Sequence, residues 1–311
     1  MRNRILDISQ EGAGLSVKHS NLEIRPASSE ETRLPLGDIA VLILAHPAIH
    51  ITQAVLAGIG GAGGIVLTCD SARLPSAMQI PMVGHHVQGE RVAAQAAASI
   101  PTRKRVWKQI VRAKIVHQAQ VLDDLRGVDM GLLNLVSKVR SGDPDNLEAT
   151  AARRYWQALF EGAGFRRSRE IPDVNRYLNY GYAVLRALVA RAICSAGLLP
   201  SLGLHHHNKY DPFPLADDLM EPWRPLVDHA AWHMNDQHGP DAPLGPELKS
   251  ALVAPLLRRY RFESEDRTLF DILSRVAASL AATLMGERKD LLLPNFRSNC
   301  AKPVAASGPN Q

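Results

Sequence analysis

The hydrophobic pattern of the sequence changes near residue 90, and this change constrains the fold more than any other feature. Before it, short apolar or alternating runs separated by Gly, Ser and Pro predict β-strands. These runs are Ile5 to Ile8, Leu15 to Val17, Leu22 to Ile24, Ile39 to Leu44 and Ile65 to Cys69. From about Gly89 onward the apolar residues recur at helical spacing. The chain therefore predicts an α+β fold, with a small N-terminal β-rich domain (residues 1–92) followed by a larger all-α C-terminal domain (residues 93–293).

Two segments refine this plan. The run Ile39 to Leu44 has the composition of a strand buried on both faces, and Arg73 to Pro81 is interpreted as a loop. Residues 294–311 are rich in Pro, Ser, Asn and Ala, which predicts a disordered tail.

A glycine pattern in the β-rich part resembles a dinucleotide-binding fingerprint. Gly58, Gly60 and Gly63 match G-x-G-x-x-G, but they follow a predicted helix and precede a predicted strand. The fingerprint needs the opposite order, because the pyrophosphate binds at the N-terminus of the helix that follows the glycines. We interpret these glycines as a helix C-cap and a turn.

Composition excludes several classes of protein. With 311 residues and 46% hydrophobic content, the chain can bury a large core. The most apolar segment, Tyr182 to Leu199, contains Arg186 and Arg191, so no membrane span is predicted, and no secretory segment is recognised at the N-terminus. The three cysteines are far apart and odd in number, which favours reduced thiols. A cytoplasmic location is expected.

Positive charge is concentrated on one predicted helix, Thr102 to about Asp124. Six basic residues and no acid lie between Arg103 and Lys114, although the formal net charge of the whole chain is only +5. Such clustering is typical of proteins that bind the phosphate backbone of nucleic acids, and the alternative is an ordinary solvated helix face. The candidate DNA-binding residues are Arg103, Lys104, Arg105, Lys108, Arg112, Lys114, Arg153 and Arg224.

The stretch from Gly203 to Asp228 contains three histidines and five acids. Asp218 and Glu221 are three residues apart on a predicted helix, so they share a face near the histidines and could help to hold a divalent cation. Mixed nitrogen and oxygen ligands leave the ion undecided. The alternative is a solvated polar turn followed by acids that the helix dipole favours. Pro222 predicts a kink in this helix, and Trp223 is interpreted as a core residue.

A second candidate carboxylate, Glu148, lies near the start of another predicted helix. Helical spacing places Glu148 on the same face as Ala151 and Tyr155, and an inward carboxylate needs a partner. Alternatively, Asp145 and Glu148 form a capping box, in which the glutamate bonds only to backbone amide groups. The spacing alone leaves both interpretations open.

Taken together, these segments resemble the CRISPR-associated integrases, the nuclease subunits of spacer acquisition, in the version found in type II systems. The matching segments are Asn146 to Tyr155, Asn175 to Tyr182, Gly203 to His206 and Leu215 to Pro225. The resemblance implies that Glu148, His206 and Glu221 are the catalytic, metal-binding residues, and that Asp218 is a further ligand that some members use. The triple histidine leaves His205 as a substitute if the loop shifts by one residue.

The same resemblance implies an activity and partners. The expected reaction is metal-dependent insertion of DNA fragments into a CRISPR array by attack of a 3′ hydroxyl on a phosphodiester, with Mg²⁺ or Mn²⁺. The expected partners are double-stranded DNA, a second copy bound through the β-rich domain, and a small ferredoxin-like CRISPR-associated subunit. A catalytically silent DNA-binding scaffold is the main alternative, and a phosphohydrolase of small phosphate esters is a third possibility.

Overall fold

The computed structural model describes residues 3–26, 30–161, 164–168, 170–171, 173–205 and 209–294. Apart from Pro294, the predicted tail lies outside this description. The first part of the chain is rich in strands, as predicted. Its elements are β1 (Arg4–Ile8), β2 (Gly14–Lys18), β3 (Asn21–Arg25), β4 (Thr32–Pro35), β5 (Ile39–Leu44), β6 (His50–Ile51), α1 (Gln53–Gly61), β7 (Ile65–Cys69) and β8 (Pro75–Gln79).

These strands form two four-stranded sheets. The first has the order β1-β5-β7-β8, in which β1, β5 and β7 are parallel and β8 is antiparallel to β7. The second has the order β4-β3-β2-β6, with a parallel pairing only between β2 and β6. Strand β5 is buried on both faces, as predicted: Leu42 packs towards the second sheet, while Val41 and Ile43 pack towards the helices.

The rest of the described chain is mostly helical. Its elements are α2 (Gln88–Ala96), α3 (Ile100–Arg126), α4 (Leu133–Val136), α5 (Leu147–Leu159), α6 (Asn175–Ser195), α7 (Pro214–Met220), α8 (Arg224–His238), α9 (Pro246–Val253), β9 (Arg259–Phe262), β10 (Glu265–Thr268) and α10 (Leu269–Leu284). Helix α6 is buried along most of its length and contacts α7, α8, α9 and α10. Among the described helices, none is both long and apolar enough to cross a membrane.

The structure confirms the α+β prediction and differs from it in several elements. The segment interpreted as a loop contains β8, an edge strand whose exposed and half-buried residues give only a weak hydrophobic signal. The edge strands β4 and β6 were not predicted either. The helical part also contains the hairpin of β9 and β10, in which Tyr260 and Phe262 are buried in strand alternation. The sequence predicts a helix from Met130 to Val139, and the structure limits this helix to the short α4.

The glycines after α1 end a helix, as predicted. Helix α1 continues through Gly61, and the N–H group of Ala62 donates to the carbonyl of Gly58. Gly63 then has a φ of 77°, a left-handed conformation that favours glycine. The dinucleotide interpretation is therefore excluded by the local order of helix, turn and strand.

The first sheet and the helices share one continuous hydrophobic core. Val41 and Ile65 of the sheet belong to the same buried cluster as the apolar residues of α6. The Asp7 carboxylate of β1 accepts a hydrogen bond from the hydroxyl of Tyr180 at 2.8 Å and pairs with the buried Nζ of Lys249 at 3.0 Å. The β-rich part is thus tied to α6 and α9 by polar as well as apolar contacts.

Two of the three cysteines lie in the described chain, and both are free thiols. Burial raises the pKa of Cys69 and of Cys194 to about 11. Both side chains are therefore neutral near pH 7, and the described cysteines are reduced, as predicted. Cys300 lies outside the described residues.

Candidate active site

Helix α5 places Glu148 at the edge of the helical core. Asn146, which precedes the helix, has a left-handed φ of 49°, and the carboxylate of Asp143 accepts the N–H groups of Leu147 at 3.0 Å and Glu148 at 2.9 Å. Asp143 therefore satisfies two of the N–H groups that are left without partners at a helix start. The backbone of Glu148 is fixed, and its side chain is left to make other contacts.

The capping-box interpretation of Glu148 is wrong. Asp145 pairs with Arg140 through two contacts of 2.7 and 2.9 Å, and no side-chain cap is formed by Asn146 at the start of α5. The side chain of Glu148 turns instead towards α3, where its Oε1 contacts Nζ of Lys114. The inward orientation predicted from helical spacing is thus the one that the structure shows.

The second carboxylate, Glu221, lies where α7 and α8 are separated by a short 3₁₀ turn, Glu221–Trp223. Two prolines, Pro222 and Pro225, interrupt the regular α-helical hydrogen bonding here, so the predicted kink is confirmed. Trp223 is 1% exposed and packs in the core, as predicted.

A buried histidine on α3 supports this turn. Nδ1 of His117 lies 2.7 Å from the carbonyl oxygen of Pro222, and because a carbonyl only accepts, Nδ1 must be the donor. Burial lowers the pKa of His117 to about 4, so the ring is neutral near pH 7. The contact joins the middle of α3 to the turn that positions Glu221.

Lys114 lies between the two carboxylates. Its Nζ contacts Oε1 of Glu148 and is 2.5 Å from Oε2 of Glu221, while the other oxygen of Glu221 accepts from Arg224 at 2.8 Å. Burial opposes ionisation of Glu221, but Arg224 and Lys114 outweigh it and lower the pKa of this carboxyl to about 2. Burial likewise disfavours the charged form of Lys114, yet the two glutamates keep its pKa above the ordinary value. Glu221 and Lys114 are therefore both ionised near neutral pH.

Arg224 is held by a buried group of tyrosines and an acid. Its guanidinium lies 4.3 Å from the centre of the Tyr182 ring, within the range of a cation–π contact. The hydroxyls of Tyr182 and Tyr155 both donate to the carboxylate of Asp228, the second at 3.0 Å. Burial raises the pKa of Asp228 to about 6 even though these donors act in the opposite direction.

A cavity of about 690 Å³ opens beside Glu221 and Arg224. Arg167 reaches it and donates to the side-chain oxygens of Asn175 and Asn179 at 2.9 and 2.8 Å. Arg186 also lines it and forms two 2.5 Å contacts with Asp217. Guanidinium groups present several donors in a plane that matches phosphate oxygens, so the cavity is suited to a phosphate-containing ligand.

The histidine loop is anchored to α7 and α3 immediately before His206. Asp218 is fully buried, and its Oδ2 accepts the N–H groups of Leu204 at 2.6 Å and His205 at 3.0 Å. The ring of His205 stacks on Trp107 at 4.1 Å with an interplanar angle of 3°. The stacking fixes the side chain of His205, which was considered as a substitute metal ligand. His206, the predicted metal ligand, lies outside the described residues.

The two candidate ligands among the described residues, Glu148 and Glu221, suit a divalent cation. Glu148 and Glu221 come from separate elements and already converge on a single positive charge, and carboxylate oxygens are the ligands that Mg²⁺ and Mn²⁺ prefer. Among the described residues, no three His, Cys, Asp or Glu side chains form a group that could hold a metal. The third ligand expected from the sequence, His206, is not among the residues searched.

The predicted DNA-binding residues of α3 lie in different environments. Lys104 is exposed and Lys108 is half-buried, whereas Arg103, Arg105 and Arg112 donate to backbone carbonyl groups of neighbouring segments. Arg153 is exposed on α5.

Two of the predicted DNA-binding residues, Lys114 and Arg224, lie at the acidic centre that Glu148 and Glu221 form. Lys114 is only 6% exposed and pairs with the candidate metal ligands. The prediction that it lies on a solvated basic face is therefore wrong. Arg224 lines the cavity beside Glu221.

One wall of the cavity was not predicted from the sequence. Asn175, Asn179, Tyr182 and Arg186 all belong to α6, and the last three line the cavity while Asn175 holds Arg167. Their spacing of four, three and four residues places them on a single helix face. Polar residues at helical spacing on an otherwise apolar helix are visible in the sequence, so this wall of the cavity could have been predicted.

The fold and this site define an α+β protein that places an acidic centre beside an arginine-lined cavity. Residues 6–239 match the family described as "CRISPR associated protein Cas1", and this chain belongs to that family. It is 39% identical over 291 residues to the "CRISPR-associated endonuclease Cas1" of Neisseria meningitidis serogroup C (strain 8013), a match that covers 92% of this chain and 94% of the relative. The family prediction is confirmed.

Solved structures share the fold at lower identity. The chain superposes on a casposase bound to integration product with a TM-score of 0.79 and 19% identity, covering 97% of this chain and 96% of that chain. It also superposes on a Cas6-RT-Cas1–Cas2 complex with a TM-score of 0.73 and 20% identity, covering 93% of this chain and 35% of that one. These likenesses establish the architecture.

Proposed function

We propose that this chain is a metal-dependent DNA endonuclease and integrase that inserts DNA fragments into a CRISPR array. The proposal rests on one observation: Glu148 and Glu221 converge beside an arginine-lined cavity. The name of the Neisseria relative, an endonuclease, supports the nuclease part. The casposase, which was solved with an integration product, supports the integrase part.

Glu148 and Glu221 would hold the cation together with His206, and Asp218 is a further candidate that also anchors the histidine loop. When bound, Mg²⁺ or Mn²⁺ would polarise the phosphodiester and stabilise the negative charge that develops on its oxygens. Arg224 and Lys114 keep this ligand ionised, because they outweigh the effect of burial and lower the pKa of Glu221 to about 2.

The cavity residues would bind and orient the DNA. Arg224, Arg167 and Arg186 offer donors to phosphate oxygens. Asn175 and Asn179 of α6 fix Arg167, and Asp217 of α7 fixes Arg186, before any ligand arrives. In the proposed step a 3′ oxygen forms a new bond to phosphorus while the bond to the leaving 3′ oxygen breaks. One phosphodiester replaces another, so no covalent enzyme intermediate and no energy source are required. With water as the nucleophile the same site would hydrolyse DNA.

The proposed partners are double-stranded DNA, a second copy of this chain bound through its β-rich part, and a small ferredoxin-like CRISPR-associated subunit. The complex of a structurally similar chain with Cas2 supports the last of these. Exposed basic residues such as Lys104 and Arg153 are available for contacts with the DNA backbone.

Strand transfer tests the proposal directly. A labelled short duplex is incubated with a plasmid that carries a CRISPR repeat, the companion subunit and Mn²⁺, Mg²⁺ or a chelator. We expect metal-dependent joining by the wild type and its loss in Glu148→Ala and His206→Ala, with DNA binding retained. Glu247→Ala is a matched control, because Glu247 is likewise the second residue of a helix but is exposed and far from the cavity in sequence.

The outcomes separate the candidate functions. Joining that persists unchanged in both site variants would overturn the residue assignment. A wild type that binds DNA tightly without joining it would favour the catalytically silent scaffold.

A further inference from the structure

A buried ammonium group occupies the space between the two proposed metal ligands. Lys114 lies in the middle of α3, with apolar neighbours Val111 and Ile115 that are fully buried. Its Nζ contacts one oxygen of Glu148 and lies 2.5 Å from Oε2 of Glu221. Lys114 was predicted to lie on a DNA-binding face, so its position between the two carboxylates calls for a different role.

The surroundings of Lys114 keep its charge at this point. The side chain is 7% exposed and its stem is packed in the core, so the ammonium group has little access to bulk water. A buried charge needs an opposite charge or strong hydrogen bonds, because removal from water costs several kcal/mol per ion in real proteins. The two carboxylates meet this need, and the ammonium in turn reduces their mutual repulsion.

The same oxygens are those that a divalent cation would use. Oε1 of Glu148 and Oε2 of Glu221 face the ammonium, and Oε1 of Glu221 already accepts from Arg224. A dication at these oxygens would therefore stand within contact distance of a positive charge. Repulsion at such a distance is strong in a site of low effective dielectric constant.

From this geometry we infer that Lys114 is the resident counter-cation of the site and competes with the divalent cation for Glu148 and Glu221. The inference deepens the proposed function and rests on it. Lys114 acts here as a positioning residue: it holds both carboxylates close together until the metal replaces its ammonium on at least one of them. The cost of this replacement lowers the affinity of the free protein for metal.

Lys114→Met tests the inference in the full-length chain. Methionine has a similar length and no charge, so the variant leaves the carboxylates with no ammonium between them. We expect isothermal titration with MnCl₂ to show affinity higher by about tenfold, which corresponds to about 1.4 kcal/mol. We also expect a lower melting temperature in chelator and a larger rise on addition of Mn²⁺ than in the wild type.

Lys249→Met is the matched control. Lys249 is also a buried lysine, 3% exposed, and it pairs with the carboxylate of Asp7 in another part of the protein. This variant should lower the melting temperature in chelator but keep the affinity for Mn²⁺ and the metal-induced rise of the wild type. Lys114→Arg retains the charge and should not tighten binding of Mn²⁺.

The affinities of the wild type and Lys114→Met for Mn²⁺ separate the proposed metal centre from the proposed competition by Lys114. Equal affinity for Mn²⁺ in the wild type and Lys114→Met would overturn the competition while leaving the metal centre intact. Absence of Mn²⁺ binding in both would overturn the metal centre and this inference with it.

The wild type provides a test that requires no folded variant. In protein with ¹⁵N-labelled lysine, the Nζ resonance of Lys114 should shift on titration with Mg²⁺, while that of Lys249 stays in place. Saturation with Mg²⁺ that leaves the Lys114 resonance unchanged would contradict the competition.

Discussion

Two buried carboxyl groups seven residues apart have opposite pKa shifts, because their partners differ. Burial raises the pKa of both, but Glu221 faces the charged Arg224 and Lys114, and its pKa falls to about 2. Asp228 accepts from the neutral hydroxyls of Tyr182 and Tyr155, and its pKa remains raised at about 6. Direct contact with two cations thus keeps Glu221 ionised under all ordinary conditions, whereas Asp228 titrates in the mildly acidic range.

Asp228→Asn should change how stability depends on pH. The pKa of Asp228 is higher in the folded protein, about 6, than its ordinary value of 3.8, so this group favours folding below about pH 4 and loses that contribution as the pH rises to about 6. The variant lacks this titration. We therefore expect the stability of the wild type relative to Asp228→Asn to fall by roughly 2–3 kcal/mol between pH 4 and pH 6. Urea unfolding at several pH values measures this difference, and a constant difference would contradict the assignment.

The start of helix α5 controls the position of Glu148. Asp143 accepts two N–H groups of the first helical turn, and the left-handed Asn146 directs the chain into the helix. The local sequence suggested a cap at Asp145 instead, two residues further on. Capping depends on the turn that leads into the helix, and residue spacing alone does not determine this turn.

Asp143→Ala should therefore impair strand transfer more than Asp145→Ala. Loss of a helix cap typically costs about 1–2 kcal/mol, and here it would loosen the turn that holds Glu148. Asp145 pairs with Arg140 at the surface, so its removal leaves α5 in place. Thermal unfolding and the strand-transfer assay on both variants provide the comparison. Equal activity in the two variants would show that the cap is not needed to position Glu148.

The sequence predicted most helices and five of the ten strands of the described chain, because their apolar residues recur at helical or strand spacing. It placed Glu148 facing inward for the same reason. It could not place Lys114, since charged residues on a helix are normally solvated and only the convergence of three separate elements makes this one buried. The edge strands β4, β6 and β8 and the hairpin of β9 and β10 were missed because short strands depend on their neighbours for hydrogen bonds.

The acidic centre and the basic surface of the molecule are both built on α3. The inner face of α3 presents Lys114 and His117 to the site, while Lys104 and Lys108 lie four residues apart near its N-terminal end. Residues at this spacing share a helix face, so the two lysines could contact neighbouring phosphates of a single DNA backbone. Their separation from the acidic centre means that DNA affinity and chemistry can be altered independently.

The double variant Lys104→Ala/Lys108→Ala should bind DNA more weakly and with a smaller dependence on salt. Each lost phosphate contact is expected to reduce the slope of log affinity against log salt concentration by about 1, so we expect a reduction of about 2. The weakening should be similar for all DNA sequences, because phosphates do not encode sequence. Titrations of labelled duplex at several NaCl concentrations measure the slope, with Lys18→Ala in the β-rich part as an exposed control. An unchanged slope would assign the DNA contacts to another surface, whereas a reduced slope with joining retained at saturating DNA would show that α3 binds the backbone without taking part in the chemistry.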